Sequence, residues 1–487
     1  MIEFKLNNVD YSLNSINPNT TVLEFIRTVI GLIDVKEGCA SGDCGACTVM
    51  VLDIKSSNID SPFYTINTCI TLLSLMHNQH LFTASYLADN PNHHPDKAIL
   101  HPAQQALVNC HGSQCGFCTP GFTLSLACLY ENWKQAKVLE DKPKGQYTGQ
   151  ATEHDKDEKT TITDEEIISA ISGNLCRCTG YRPIVDAGKK MFELDPAKVI
   201  QTKLSKSFLI DSAEIKSSKL KSSEPIDNKD VENKFNNKDS YPYLISALDK
   251  DGNKLFIPHT QADLNHLVAL YPNAILWAGG TDLGLNITQK FVDYTHIIQL
   301  SAVDKLKQWH LHIDADSPVN PKKHILIVGA GMTYQQLYPV LEQYLPSFAK
   351  IIKRIASTQI RNMATIGGNI ANASPIGDLP PILLALDARV HIIHCRSKPN
   401  SVSKTHCSSN PDNTSDYIYS ISTTENTETT EDFIPISEFF LSYKQTKLNP
   451  GSYIAAIHIP LLSDNQHLII LRLTHEVQYQ MTGEKKT

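Results

Sequence analysis

The stretch Glu37-Gly-Cys-Ala-Ser-Gly-Asp-Cys-Gly-Ala-Cys47 decides how the rest of the chain is read. Cys39, Cys44 and Cys47 follow C-x4-C-x2-C, and Cys69 stands as a distant fourth. This is the plant-type ferredoxin spacing for a [2Fe–2S] cluster. A tight loop lets three thiolates converge while the fourth arrives from a separate element. Gly38, Gly42 and Gly45 remove side chains where backbone N–H groups must approach sulfur and where positive φ is needed. A four-thiolate zinc site is the alternative, but zinc loops favour paired C-x2-C knuckles.

At 487 residues the chain exceeds one compact core and suggests about three domains. Its net charge of −7 argues against a nucleic-acid or anionic-membrane partner. No apolar run approaches the ~20 residues of a membrane helix. The start, Met1-Ile-Glu-Phe-Lys-Leu6, alternates like a strand and lacks the regions of a secretory signal, so the expected location is the cytoplasm. In that reducing compartment 12 cysteines point to metal rather than to disulfides. Cys110, Cys128, Cys395 and Cys407 are scattered, the first two expected in helix packing. His93-His94 falls in a polar loop and is expected to be solvated.

The pattern is multidomain α+β. Ile2, Phe4 and Leu6 alternate, Asn7-Asn8 marks a turn, and Tyr11 and Leu13 alternate again, a hairpin. Thr20 or Thr21 caps a short helix with Leu23, Ile26 and Ile30 as its stripe, and a strand follows at Thr48–Leu52. This unit spans residues 1–86. Residues 87–195 are helical. Pro102 opens a helix through Val108, and Pro120 opens one carrying Leu124, Ala127 and Leu129. Thr163 with Glu166 makes a capping box for Ile167–Ile171, with Gly173 at C′, and Pro183 opens a last helix through Met191 and Phe192. Residues 137–162 read as a solvated loop, and 196–240, rich in Lys, Ser, Asn and Asp, as a linker. From Tyr241 short strands alternate with helical patterns, a larger α+β domain over 241–465 with a polar surface insertion at 397–431.

A second cysteine group, Cys115-x2-Cys118 and Cys176-x-Cys178, lies at helix ends. Its spacing alone admits zinc or iron–sulfur, although C-x-C strains a structural zinc site. The segments His111-Gly-Ser-Gln-Cys-Gly-Phe-Cys-Thr-Pro-Gly-Phe122 and Ser172-Gly-Asn-Leu-Cys-Arg-Cys-Thr-Gly-Tyr-Arg-Pro183 resemble the molybdenum hydroxylases. Glu37–Cys47 belongs to the same pattern. The resemblance implies that both groups hold [2Fe–2S] clusters, the first on a β-grasp ferredoxin-like domain. It places the helical domain's cluster beside the molybdopterin and the other nearer the flavin. It also implies that Gln114 hydrogen-bonds the pterin; from the residues alone a helix cap is an equal reading.

Two glycine-rich segments follow. Leu276-Trp277-Ala278-Gly279-Gly280-Thr281-Asp282-Leu283-Gly284 comes after an apolar strand, where backbone amides can cradle a diphosphate. Val328-Gly-Ala-Gly-Met-Thr-Tyr334 half-matches G-x-G-x-x-G but ends on Tyr334, so it is read as a turn. The segment Thr365-Ile366-Gly367-Gly368-Asn369, running on to Asp378, resembles the FAD loop of the same family. The resemblance implies backbone contacts from Gly-Gly-Asn and a bond from Asp378 to a flavin-nucleotide hydroxyl. The alternative for Asp378 is a cap on a helix over Pro380–Leu386.

The resemblance covers about residues 1–460 and is strongest to the small iron–sulfur/FAD subunits of xanthine dehydrogenases. The flavin domain's C-terminal lobe is not recognisable in Leu461–Thr487, so 466–487 reads as an atypical tail. A molybdopterin-binding large subunit is the implied partner, oxidising hypoxanthine and xanthine. Electrons are then implied to pass through the helical-domain cluster, the ferredoxin-like cluster and FAD to NAD⁺. No catalytic residue is expected in this chain. Three other readings stand beside this: service to an aldehyde- or N-heterocycle-oxidising partner, a flavin-free iron–sulfur module, and a zinc scaffold.

Overall fold

A computed structural model describes residues 2–53, 62–89, 98–140 (backbone only beyond 136), 162–194, 204, 252–313, 324–398, 427–463 and 466–469. The linker at 196–240 apart from Leu204, His93-His94, Cys407 and the tail beyond 469 lie outside the described residues.

Strands β1 (Ile2–Leu6) and β2 (Val9–Leu13) pair antiparallel. Asn7 and Asn8 join them at φ 53° and 65°, the left-handed pair that a tight hairpin needs. They continue into a five-stranded sheet with β3 (Thr48–Leu52), β4 (Phe63–Asn67) and β5 (His80–Phe82), in the order β2-β1-β5-β3-β4. Thr21 caps α1 (Val22–Glu24), which runs on as a π-helical turn over Phe25–Val29. Leu23 and Ile26 press onto one face of the sheet, giving the expected β-grasp. Strand β3 is buried on both faces: Val49 and Val51 join this core, while Met50 and Leu52 join that of the helical module.

The helical module holds α2 (Pro102–Asn109), α3 (Thr119–Glu140), α4 (Asp164–Ile171) and α5 (Arg182–Lys190). The Thr163–Glu166 capping box is formed at α4. Cys110 and Cys128 pack against this module's core, as expected. Helix α3 continues to Glu140, so the loop expected from 137 begins as helix; Lys137, Leu139 and Glu140 are good helix formers. The rest, 141–161, lies outside the described residues.

The third module opens with β6 (Lys254–Phe256), α6 (Gln261–Leu270), β7 (Ile275–Trp277), α7 (Leu283–Lys290) and β8 (His296–Gln299), a parallel sheet in the order β6-β8-β7. Strands β9 (Trp309–His312) and β10 (Ile325–Gly329) begin a second, antiparallel sheet. Helices α8 (Tyr334–Tyr344), α9 (Pro346–Ile352), α10 (Thr358–Arg361), α11 (Ile366–Asn372) and α12 (Leu379–Ala385) follow. The chain closes with β11 (Arg389–Ser397), β12 (Thr427–Pro435), α13 (Ile436–Phe439), the ribbon β13 (Phe440–Ser442) and β14 (Gln445–Thr446), and β15 (Ser452–Pro460). The second sheet runs β12-β11-β15-β10-β9. The polar insertion expected at 397–431 is therefore shorter. Thr427–Glu431 belong to β12, an edge strand whose exposed faces account for its polar sequence. Among the described residues no helix is long and apolar enough to cross a membrane.

The three modules meet at a buried junction. Gln359, at α10, is fully buried. Its Nε2 lies 3.2 Å from Thr48 Oγ1 on β3, 3.4 Å from Ser125 Oγ on α3 and 3.2 Å from Asn174 Oδ1 after α4. Asn174 Nδ2 in turn donates to the Gly45 carbonyl at 3.0 Å. Gly173 is not left-handed as a C′ glycine would be. It is glycine for proximity, since a Cβ there would stand 1.9 Å from Gln359 Oε1. Gln359→Ala should lower stability by about 2 kcal/mol through lost hydrogen bonds and a cavity. Thermal unfolding reads this, and an unchanged melting temperature would contradict the junction's importance.

Candidate redox centres

The first group is built by a coil between α1 and β3. Ala40, Gly42 and Gly45 take φ of 53°, 78° and 67°, which folds the coil back on itself. The amides of Ser41 and Cys44 both donate to Cys39 Sγ at 3.4 Å. Asn67 Nδ2 pins the coil by donating to the Gly42 carbonyl at 2.6 Å. Cys69, in the turn after β4, touches both Cys39 and Cys47. Gly38 is needed because a Cβ would stand 2.8 Å from Cys44 Sγ.

Four thiols in one small volume perturb one another. Contact with Cys69 brings Cys39 down to about 3 and lowers Cys47. Cys69, whose single proton can serve only one of them at a time, is pushed up by the same contacts, and burial raises Cys44. Four crowded sulfurs, two of them lowered toward the thiolate, are a donor set that would fit a cationic iron cluster.

The second group joins the turn between α2 and α3 to the turn between α4 and α5. Gly116, Gly180 and Tyr181 take φ of 83°, 67° and 70°. Cys178 Sγ lies 3.6 Å from Cys115 Sγ, and Cys118 touches Cys176. Around Cys176 Sγ stand the Thr179 hydroxyl at 3.1 Å and the amides of Cys178 and Thr179 at 3.4 Å. Desolvation raises that thiol, but the Thr179 bonds outweigh it and bring it to about 7. Burial and contact with Cys176 push Cys118 up to about 12. The sulfurs therefore stand in two touching pairs, as two irons require. Among the described residues no three Cys, His, Asp or Glu surround a single point as one metal ion needs.

The two groups differ in access. Cys47 and Cys69 are buried, whereas Cys115 and Cys178 are exposed. Gln114 is exposed beside Cys115, well ahead of the α3 start at Thr119 rather than at its cap. A backbone hydrogen bond joins the groups, from Leu175 N to the Cys44 carbonyl at 2.9 Å, and Leu175 precedes Cys176.

The glycine segments form a cradle. After β7 the chain turns at Gly280 (φ 71°), and a Cβ on Gly279 would stand 1.7 Å from the Met363 carbonyl oxygen. The segment Leu276–Leu283 thus packs backbone to backbone on Met363-Ala364, the two residues that lead into Thr365–Asn369. Thr365 caps α11 by accepting from Gly368 N at 3.1 Å. Ile366 N and Gly367 N donate to the carbonyls of Met332 and Ala330 at 3.1 and 2.9 Å. Val328–Tyr334, read from sequence as a turn alone, is therefore the third wall of the cradle, between β10 and α8. Trp277 Nε1 and Asn369 Oδ1 are buried there without a hydrogen-bond partner among the described residues. Asp282 and Asp378 both act on Tyr334, whose pKa burial raises first and the two carboxylates raise further. Asp282 keeps an exposed edge, yet desolvation by the protein around it raises its pKa. Asp378 sits at the start of α12 but makes no capping hydrogen bond with its side chain. The amides of Ile366, Gly367, Gly368 and Asn369 are all used within the protein, against the expectation of free Gly-Gly-Asn backbone donors. The close-packed glycine floor, the buried polar side-chain atoms and the carboxylates at the rim are what would fit a flavin nucleotide.

Three family models match in order: a 2Fe-2S iron-sulfur cluster binding domain over residues 4–74, a [2Fe-2S] binding domain over 89–189, and an FAD binding domain in molybdopterin dehydrogenase over 250–413. The chain belongs to the iron–sulfur/FAD part of the molybdenum hydroxylase family. It is 30% identical to the xanthine dehydrogenase of Emericella nidulans over 491 residues, covering 95% of this chain and 30% of that one. Against xanthine dehydrogenase 1 of Arabidopsis thaliana the identity is 28% over 480 residues, covering 90% and 30%. Aldehyde oxidase 4 of Mus musculus is 29% identical over 409 residues, covering 78% and 27%. The chain thus spans about 30% of the length of the xanthine dehydrogenases it matches. This iron–sulfur/FAD chain of the molybdenum hydroxylases is an electron-transfer module for two [2Fe–2S] clusters and FAD.

Gly279→Ala should force the two glycine segments apart. The purified variant is expected to lose its flavin absorbance while keeping its iron, and retention of stoichiometric flavin would show that this contact does not shape the cradle.

Proposed function

We propose that this chain carries electrons from a molybdopterin-binding partner subunit to NAD⁺ in a cytoplasmic xanthine dehydrogenase, the partner oxidising hypoxanthine and xanthine. One observation supports it above the others. The second group, with Cys115 and Cys178 exposed, the first group, with Cys47 and Cys69 buried, and the glycine cradle follow one another through direct contacts. Exposed thiols at one end suit a docking partner, and a flavin held by the cradle at the other would pass electrons on to a diffusing acceptor.

Cys39, Cys44, Cys47 and Cys69 would hold the first cluster, and Cys115, Cys118, Cys176 and Cys178 the second. Leu276–Leu283, Thr365–Asn369 and Asp378 would hold FAD. Bound there, the clusters supply one-electron relays and FAD a two-electron store. The chain's own residues fix position and environment. Thr179 and the neighbouring amides donate to Cys176 and stabilise thiolate charge on that sulfur. Gln114, exposed beside Cys115, would donate across the interface to the partner's pterin. Trp277 and Asn369 present buried polar atoms that a bound nucleotide would satisfy.

Anaerobic titration of the purified chain with NADH should bleach the flavin and develop two [2Fe–2S] EPR signals, and failure of NADH to reduce the flavin would remove NAD⁺ as acceptor. Cys176→Ser should abolish one signal and spare the other; loss of both would mean the ligands are paired wrongly. The similarity to mouse aldehyde oxidase 4 supports a second reading, an aldehyde-oxidising partner. The substrate oxidised by the co-purifying subunit discriminates the two.

A further inference from the structure

Helix α7 leaves the first glycine-rich segment and lies across the coil that carries Cys39. Thr288 Oγ1 donates to the Ala40 carbonyl at 2.7 Å. Gln289 Nε2 donates to the same carbonyl at 3.0 Å and to the Cys39 carbonyl at 3.2 Å. At the other end of the helix, Gly284 packs so closely on Ile70 that a Cβ would stand 2.4 Å from the Ile70 carbonyl oxygen. One short helix of the flavin module thus touches the chain beside Cys39 and beside Cys69.

Ala40 is where this contact acts. Its φ is 53°, a left-handed conformation that a residue with a Cβ adopts only when its surroundings hold it there. Gly42 and Gly45 take the same region in the same coil without that cost. At Ala40 the hold comes from two side-chain donors converging on its carbonyl, about 250 residues away in sequence. The Thr288 hydroxyl also lies 3.1 Å from its own helix's Gly284 carbonyl, but its single proton has the shorter partner in Ala40.

We propose that Thr288 and Gln289 are positioning residues for the first cysteine group: the flavin-binding module holds the Cys39–Cys44 coil in its ligating shape by gripping the Ala40 carbonyl. The proposal rests on the reading of Cys39, Cys44, Cys47 and Cys69 as ligands of the first cluster. It makes the first cluster's geometry a property of two modules, so that displacement of α7 is felt at Cys39.

The test compares EPR spectra of the reduced full-length chain. Thr288→Val with Gln289→Leu should broaden and shift one of the two [2Fe–2S] signals and speed iron loss from that cluster to a chelator several-fold. The other signal should stay as in the wild type. Ala40→Gly in the same background should recover the altered signal, because glycine holds the left-handed conformation unaided, and Thr288→Ser, which keeps the hydroxyl, should be silent. An unchanged spectrum in the double variant, or no recovery with Ala40→Gly, overturns the proposal. A wild-type chain showing only one [2Fe–2S] signal would instead overturn the ligand reading on which it rests.

Discussion

A buried side-chain amide belonging to none of the cysteine loops holds the arrangement together. Gln359 reaches from the flavin module into the interface between the ferredoxin-like and helical modules and meets Thr48, Ser125 and Asn174 at once. Its buried Oε1 has no partner among the described residues, so the hold rests on Nε2, whose directional bonds fix geometry more strictly than apolar packing can. The glycines around it allow this density. A Cβ on Gly45 would stand 2.2 Å from the Gly173 carbonyl oxygen, and one on Gly121 would stand 2.3 Å from the Gly45 carbonyl oxygen. Backbones therefore touch where a hydrogen bond from Leu175 N to the Cys44 carbonyl joins the two sulfur groups.

From that junction the chemistry spreads in two directions. Toward the surface lie Cys115 and Cys178, with Phe117, Leu175 and Tyr181 also exposed around them. An exposed thiol pair ringed by apolar side chains is a poor end point for an isolated chain and a good one for a partner's face. Inward lies the Cys39 group, gripped by its own coil, by Asn67 and by α7. Beyond α7 the cradle is built from three chain segments that approach through bare backbone.

Local patterns were legible in the sequence because they depend on neighbours in the chain. The Asn7-Asn8 turn, the Thr163–Glu166 capping box and the C-x4-C-x2-C coil each need only a few consecutive residues. The contacts that assemble the modules were not legible. Gln359 pairs with Thr48 across 311 positions, and Gln289 with Ala40 across 249. No periodicity marks either glutamine. Thr179 left a faint trace, as a hydroxyl directly after Cys178 that bonds Cys176 instead. Val328–Tyr334 failed the dinucleotide pattern at Tyr334, yet its carbonyls serve the second glycine segment, a role the pattern does not encode. Gly173 looked like a helix cap because glycine commonly plays that part, while its actual constraint is an atom on another module.

The eight grouped cysteines are proposed to hold two [2Fe–2S] clusters on a chain that also binds FAD. Elemental analysis with flavin quantitation on the purified chain tests this most directly. About four irons and about one flavin per chain are expected. Zinc in place of iron, or iron for a single cluster only, would show that the cysteines do not hold two [2Fe–2S] clusters.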